Sequence, residues 1–160
     1  TSSQTITVDD QTDPTVTPPT ATALQCAGDL PAAVTTITAF NNLPGASATD
    51  NCTATANLTV SSTTGSLVGF SYNGTITRTY TITDTCGNST DVDHVFDIND
   101  PTPPNAYCTS LTIQLAPDGT ANINASDIDN GSSDNCGIKS ITVSPSTFTL
   151  SVQSPWVIGC

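Results

Sequence analysis

The sequence predicts an all-β protein, and three observations lead to this fold class. β-branched residues dominate the 160-residue chain, which has 31 Thr but no Glu and no Met to favour helices. Short segments in which apolar and polar residues alternate are separated by Gly, Pro, Asn and Asp, the composition of strands and turns. Sequence features also recur after about 80–90 residues, the length of one β-sandwich module.

An internal repeat divides the chain into modules. The repeated positions are Asp10 and Asp100, Cys26 and Cys108, and the Asp-Asn-Cys tripeptides at 50–52 and 134–136. The repeat length fits a seven-stranded sandwich, so we expect tandem immunoglobulin-like β-sandwich modules. Residues 1–13 are predicted to be the last strand of a preceding module plus a linker, 14–100 a complete module, and 101–160 the front part of a following one. The chain therefore reads as a piece of a longer protein.

The strands of the complete module follow from periodicity. The clearest is 75–83, where Ile76, Tyr80 and Ile82 share one face at a period of two. Residues 84–88 form a turn, since Asp, Gly and Asn tolerate the backbone angles that turns need. Further strands are predicted from composition and alternation at 34–40, 53–60 and 91–98.

The partial module is predicted to begin with a hairpin. Residues 111–115 and 120–123 form its strands around a turn at Pro117-Asp118-Gly119, and 138–143 continues the sheet. The Pro-rich stretches at 13–19 and 101–104 are predicted to be stiff linkers between modules.

Charge and cysteine content exclude several classes of protein. With 2 basic and 14 acidic side chains the net charge is −12, which disfavours nucleic acid as a partner. No apolar run approaches the roughly 18 residues of a membrane span, so direct membrane insertion is not expected. Six widely spaced cysteines indicate disulfides and an extracellular location. The single histidine, His94, alternates with apolar residues and is expected to be structural, so we predict no enzymatic activity.

Spacing alone leaves the disulfide pairing open. In a sandwich, the loops that carry Cys52 and Cys86 would share one end, which favours a Cys52–Cys86 bond and leaves Cys26 unpaired. The alternative, Cys26–Cys52, uses a spacing that both repeats share. In the partial module the predicted pair is Cys136–Cys160.

Acidic residues at the module boundary suggest a Ca²⁺ site. Carboxylate and amide oxygens are the hard ligands that Ca²⁺ takes six to eight at a time. Residues 97–103 resemble the calcium-binding linker of cadherins, and a second acidic cluster at 127–134 could complete the site. The candidate ligands are Asp97, Asn99, Asp100, Asp127, Asp129 and Asp134. The alternative is that these residues only form turns and keep the surface soluble.

Two longer motifs carry a resemblance to a known family. Residues 75–90, TITRTYTITDTCGNST, and 125–138, ASDIDNGSSDNCGI, resemble modules repeated in giant cell-surface proteins of Bacteroidetes-type bacteria, related to hyalin-repeat (HYR) modules. The resemblance implies a cell-surface adhesin or filament of the gliding-motility kind, exported by the type IX system. It implies as partners the neighbouring repeats, outer-membrane secretion or anchoring machinery, and surface glycans or other cells. The family supplies no catalytic residues, and the sequence departs from its pattern at 71–73, where another Cys is expected.

Two other functions compete with this one. The chain could be an accessory module of a secreted polysaccharide-degrading enzyme, although one Trp and three Tyr suggest no exposed aromatic platform for a glycan. It could also be a strand-exchanging assembly subunit, in which the open edge of the partial module accepts a strand from a partner.

Overall fold

The computed structural model describes residues 3–4, 9–70 and 72–149. The chain forms two compact units, Thr1–Asp100 and Pro101–Cys160. Strands make up 36% and helices 11%, which confirms the predicted β-rich fold class. Among the residues described, no helix is long and apolar enough to cross a membrane.

The first unit is built mainly from one five-stranded sheet. Its elements are β1 (Thr15–Thr17), β2 (Thr22–Leu24), α1 (Ile37–Asn41), β3 (Ser47–Thr49), β4 (Thr59–Thr64), β5 (Val68–Phe70), β6 (Asn73–Thr83) and β7 (Ser89–Asn99). The sheet has the order β2-β7-β6-β4, and β5 also pairs with β6. Strand β2 runs parallel to β7, whereas the other pairs are antiparallel. Strands β1 and β3 form a separate two-stranded sheet.

The β6–β7 hairpin is the framework of this unit. Eleven residues of each strand pair in register, from Asn73 opposite Asn99 to Thr83 opposite Ser89. The predicted strands 75–83 and 91–98 lie within it. Alternate side chains of both strands are buried, because the period of two places every second residue on the core face.

The core of the first unit has two parts, one of which lies between the two sheets. Ala48 of β3 is buried in one cluster with Tyr80 and Ile82 of β6, and Val16 of β1 packs against that cluster. A second cluster joins Ile76, Phe96 and Ile98 further along the hairpin. Apolar side chains buried on both sheets explain why the sheets remain together.

The strand predicted at 34–40 was wrong, because a short helix, α1, occupies Ile37–Asn41. The Thr36 hydroxyl caps this helix by accepting a hydrogen bond from the Ala39 N–H at 3.3 Å. Ile37 and Phe40 are buried at helical spacing, and this packing outweighs the strand propensity of the β-branched residues before them. The strand predicted at 53–60 begins only at Thr59, after a 3-10 turn at Thr55–Asn57.

The second unit has less regular structure. Its elements are β8 (Thr120–Asn122), α2 (Ala125–Ile128) and β9 (Thr147–Thr149). The predicted turn at 117–119 forms, and the Gly119 N–H donates to the Ala116 carbonyl at 2.8 Å. However, β8 pairs with β9, and the strands predicted at 111–115 and 138–143 are absent from the described structure. Leu111 and Leu115 are each 40% exposed, so these residues provide no buried face to stabilise an extended pairing there.

Candidate metal centre

Three aspartates from distant parts of the sequence meet at one end of the first unit. Asp10 lies in the segment that precedes β1, Asp50 directly follows β3, and Asp84 directly follows β6. One carboxylate oxygen of each lies within 4.8 Å of the corresponding oxygen of the other two. We call Asp10, Asp50 and Asp84 the aspartate triad.

Asp84 is fixed by the turn that follows β6. Its Oδ1 accepts hydrogen bonds from the backbone N–H groups of Cys86, Gly87 and Asn88 at 2.8, 2.6 and 2.8 Å. Its Oδ2 accepts a fourth from the Asn88 side-chain amide at 2.8 Å. Burial alone would raise the pKa of Asp84, but these donors outweigh it and lower the pKa below the ordinary 3.8. Asp84 is therefore held as a carboxylate.

Only one of the two carboxylate oxygens of Asp50 accepts hydrogen bonds from its own loop. Its Oδ1 accepts from the backbone N–H groups of Cys52 and Thr53 at 3.0 and 2.6 Å, an arrangement typical of Asx turns. Its Oδ2 is buried and has no hydrogen-bond partner among the described residues.

Asp10 has the same division between its two oxygens. Its Oδ1 accepts from the Thr12 N–H at 3.1 Å, while its buried Oδ2 has no hydrogen-bond partner in the described part of the chain. The backbone carbonyl of Asp10 accepts from the Asn88 side-chain amide at 2.9 Å. The segment before β1 is therefore tied to the turn that holds Asp84.

No basic side chain of the first unit compensates these charges. Arg78 is the only Lys or Arg among residues 1–100. It is buried, and it donates to the Pro31 carbonyl at 2.8 Å and to the Thr64 hydroxyl at 2.9 Å. Its guanidinium also lies 5.2 Å from the centre of the Phe96 ring. Buried carboxylate oxygens without a donor or a counter-charge are costly, and a bound cation would remove that cost.

The six ligands predicted from the sequence lie elsewhere. None of them belongs to the aspartate triad. In the first unit, Asp97 and Asn99 are exposed residues of β7, and Asp100 follows it. In the second, Asp127 accepts from the Asn124 N–H at 2.8 Å, Asp129 from Ser132 at 3.1 Å and Asp134 from Cys136 at 2.8 Å. Those three carboxylates cap local turns, and bonds from Ser132 lower the pKa of Asp129.

Sequence reasoning missed the triad although one signal for it was present. Asp50 and Asp84 both open a loop at the end of a strand, and in both loops a Cys follows two positions later. The two loops do lie together, since the Thr53 and Thr85 hydroxyls are 3.0 Å apart. Of the two aspartates that open these loops, Asp50 has a buried oxygen without a hydrogen-bond partner among the described residues, whereas both oxygens of Asp84 accept hydrogen bonds.

The predicted disulfides of the first unit do not form in this structure. Cys52 and Cys86 are exposed free thiols, so neither Cys52–Cys86 nor Cys26–Cys52 is present. The Thr53–Thr85 hydrogen bond joins the two loops instead, and Cys26 is engaged in another disulfide. Cys108 and Cys136 each take part in a disulfide as well. Cys160, the predicted partner of Cys136, lies outside the described residues.

The pKa of the free thiol of Cys52 is affected by two aspartates of the triad. Partial removal from water, followed by the negative charge of Asp10, a hydrogen bond to the Asp10 side chain and the negative charge of Asp50, raises the pKa of Cys52 above its ordinary 9.0. At neutral pH this thiol is protonated and adds no charge to the site. The strongest ligands at this end of the unit are therefore oxygen atoms.

His94 occupies a buried position on β7. Its Nε2 lies 2.9 Å from the Thr22 hydroxyl, and its ring centre is 4.1 Å from that of Phe96. Burial, assisted by the positive charge of Arg78, lowers the pKa of His94 below 6.5. The folded chain therefore holds this imidazole in its neutral form.

We expect the free energy of unfolding to decrease as the pH falls below about 6.5. The unfolded chain protonates His94 at its ordinary pKa of 6.5, whereas the folded chain resists protonation until a lower pH. The stability contributed by Asp84 is lost only below its ordinary pKa of 3.8, so the two effects separate. Denaturant unfolding between pH 7 and 5 measures this slope. A His94→Gln variant with an unchanged slope would contradict the assignment.

No family model, no curated protein and no solved structure matches the chain.

Proposed function

We propose that the chain is a non-enzymatic segment of a large secreted bacterial surface protein, an adhesin or filament, and that its first unit is an immunoglobulin-like module stabilised by Ca²⁺. The observation that carries the calcium part is the pair of buried oxygens beside Asp84, Asp10 Oδ2 and Asp50 Oδ2, which have no hydrogen-bond partner among the residues that the structure describes. Two sheets sharing one core, with a long closing hairpin, support the module type.

The ligand chemistry of the triad favours Ca²⁺. Three carboxylates offer hard oxygen atoms and a charge of up to −3, which suits a divalent cation that accepts irregular coordination. Mg²⁺ requires a nearly ideal octahedron, and Zn²⁺ prefers nitrogen and sulfur ligands. Water would complete a coordination shell of six to eight around Ca²⁺.

A cation at the triad would fasten the start of the unit to its loops. Around Asp10, residues 9–13 are mostly exposed. Asn88 of the β6–β7 turn donates a hydrogen bond to Asp10, and Thr90 of β7 donates one to the adjoining Pro14. Because the Asp10 carboxylate adds a ligand, binding would hold the entering chain against the unit. Such a joint resists bending, which is the property that a stalk requires.

The effect of one substitution on stability should change sign when Ca²⁺ is added, and this change tests the proposal. Without divalent cations, Asp50→Asn should leave stability unchanged or increase it, because it removes one of three like charges while its Oδ1 still accepts from Cys52 and Thr53. With Ca²⁺ the same variant should be less stable than the wild type, because a ligand is lost. Thermal unfolding of the full chain, with chelator and with Ca²⁺, measures both states.

The matched control is Asp13→Asn, an exposed aspartate in the same segment as Asp10. It changes net charge equally, so its stability should respond to Ca²⁺ as the wild type does. If Asp50→Asn has the same effect in chelator as in Ca²⁺, the triad holds no cation.

A further inference from the structure

The tip of the β5–β6 hairpin exposes large apolar side chains. Val68, Phe70 and Tyr72 are 73%, 63% and 58% exposed. The rings of Phe70 and Tyr72 lie nearly parallel, with centres 5.6 Å apart and planes inclined by 12°. Exposed apolar side chains grouped in this way commonly mark a binding surface. The sequence had suggested that no aromatic platform exists, and the structure corrects that expectation.

The two strands that carry these rings approach each other closely at a pair of glycines. Gly69 pairs with Gly74 across the hairpin, with φ of +123° at Gly69. A Cβ on Gly69 would lie 2.7 Å from the Asn73 carbonyl oxygen, and one on Gly74 would lie 2.5 Å from that of Val68. The Tyr72 carbonyl also accepts from the Asp100 N–H at 2.8 Å. The strands that carry the rings are therefore packed closely against each other at Gly69 and Gly74, and Tyr72 is tied to the residue that follows β7.

Polar groups flank the rings. Exposed Asn73 and Asn99 face each other at the start of β6 and the end of β7, and the exposed Asp97 lies two residues before Asn99. Amides donate and accept hydrogen bonds, and a carboxylate accepts them. An apolar surface with such groups at its rim suits a ligand that carries both C–H faces and hydroxyl groups.

The charge and the size of this surface indicate which class of ligand it binds. The net charge of −12 and the nearby Asp97 disfavour an anionic ligand, and the only basic residue of this unit, Arg78, is buried. Three exposed side chains are far fewer than the roughly 20–30 residues a side of a stable protein interface. The electron-rich faces of aromatic rings attract the positively polarised C–H groups of a sugar ring. We propose that Phe70 and Tyr72 form a platform that binds a neutral polysaccharide.

This site is separate from the aspartate triad. The platform adjoins the Asn73 end of β6, whereas Asp84 follows its Thr83 end, a separation of about 30 Å along the strand. Polysaccharide binding does not rest on cation binding. It would give the proposed surface segment a target of defined chemistry.

Affinity electrophoresis of the full chain tests the platform. The gels contain one of four neutral polysaccharides (hydroxyethylcellulose, arabinoxylan, galactomannan or starch) or the anionic alginate. We expect retardation in at least one neutral gel and none in alginate, with chelator and Ca²⁺ giving the same result. Phe70→Ala and Tyr72→Ala should each lower the affinity for the retarding polysaccharide about tenfold. Tyr107→Ala, which removes a tyrosine that is 54% exposed in the second unit, should change nothing.

Three results would overturn the proposal that Phe70 and Tyr72 bind a neutral polysaccharide. No retardation in any of the four neutral gels overturns the proposal, as does retardation that both platform variants retain. Circular dichroism of each variant establishes that it is folded. If sedimentation velocity shows that the wild type self-associates and Phe70→Ala does not, the surface binds a second copy and the glycan assignment is wrong.

Discussion

Replacing Tyr80 by alanine is expected to lower the free energy of unfolding by about 3–5 kcal/mol, the range for truncating a fully buried aromatic side chain. Tyr80 is 1% exposed, and its ring meets that of Phe40 edge to face with centres 5.3 Å apart. The same cluster contains Ile37, Ala48 and Ile82, so the cavity would open where α1 and both sheets meet. Urea denaturation followed by circular dichroism gives the value.

Two further variants separate packing from hydrogen bonding. Tyr80→Phe keeps the ring and removes only the hydroxyl that accepts from the Val34 N–H at 3.4 Å, so it should cost about 1 kcal/mol or less. Val68→Ala, at an exposed position, should change stability by no more than about 0.5 kcal/mol. A Tyr80→Ala loss below about 1 kcal/mol would mean that the two sheets do not share this core.

Calcium is expected to have the second large effect. A ligand that binds only the folded chain stabilises it by about 2.7 kcal/mol when its free concentration is 100 times its Kd. In thermal unfolding we therefore expect a higher midpoint in saturating Ca²⁺ than in chelator. The physical reason is that Asp10 Oδ2 and Asp50 Oδ2 gain a partner that the described part of the chain does not supply.

Ionic strength must be separated from specific binding. Added salt also screens repulsion among the 14 aspartates, so NaCl of equal ionic strength is the control for Ca²⁺. The Asp10→Asn variant should lose the calcium effect and keep the salt effect. Equal stabilisation by NaCl and by Ca²⁺ would show screening alone.

The long hairpin was predictable because its pattern is local. Strands β6 and β7 alternate over eleven residues each, and Ile76, Tyr80 and Ile82 are buried as the period of two indicates. The turn between the strands could be read from Asp84, Gly87 and Asn88, since Gly87 adopts a φ of +100°.

The helix α1 and the aspartate triad could not be predicted because tertiary contacts decide them. Residues 34–40 have strand propensity, and only burial of Ile37 and Phe40 against Tyr80 makes the helix favourable. The triad joins a segment and two loops that are far apart in sequence, and its unsatisfied oxygens exist only in the fold. Calcium was predicted from a linker pattern at 97–103, whereas the aspartate triad consists of other residues.

Isothermal titration calorimetry of Ca²⁺ into the full chain tests the central proposal most directly. We predict saturable binding that is lost in Asp10→Asn and in Asp50→Asn and retained in Asp13→Asn, with much weaker binding of Mg²⁺. Absence of binding heat with unchanged thermal stability, or binding that both triad variants retain, would contradict a calcium site at Asp10, Asp50 and Asp84.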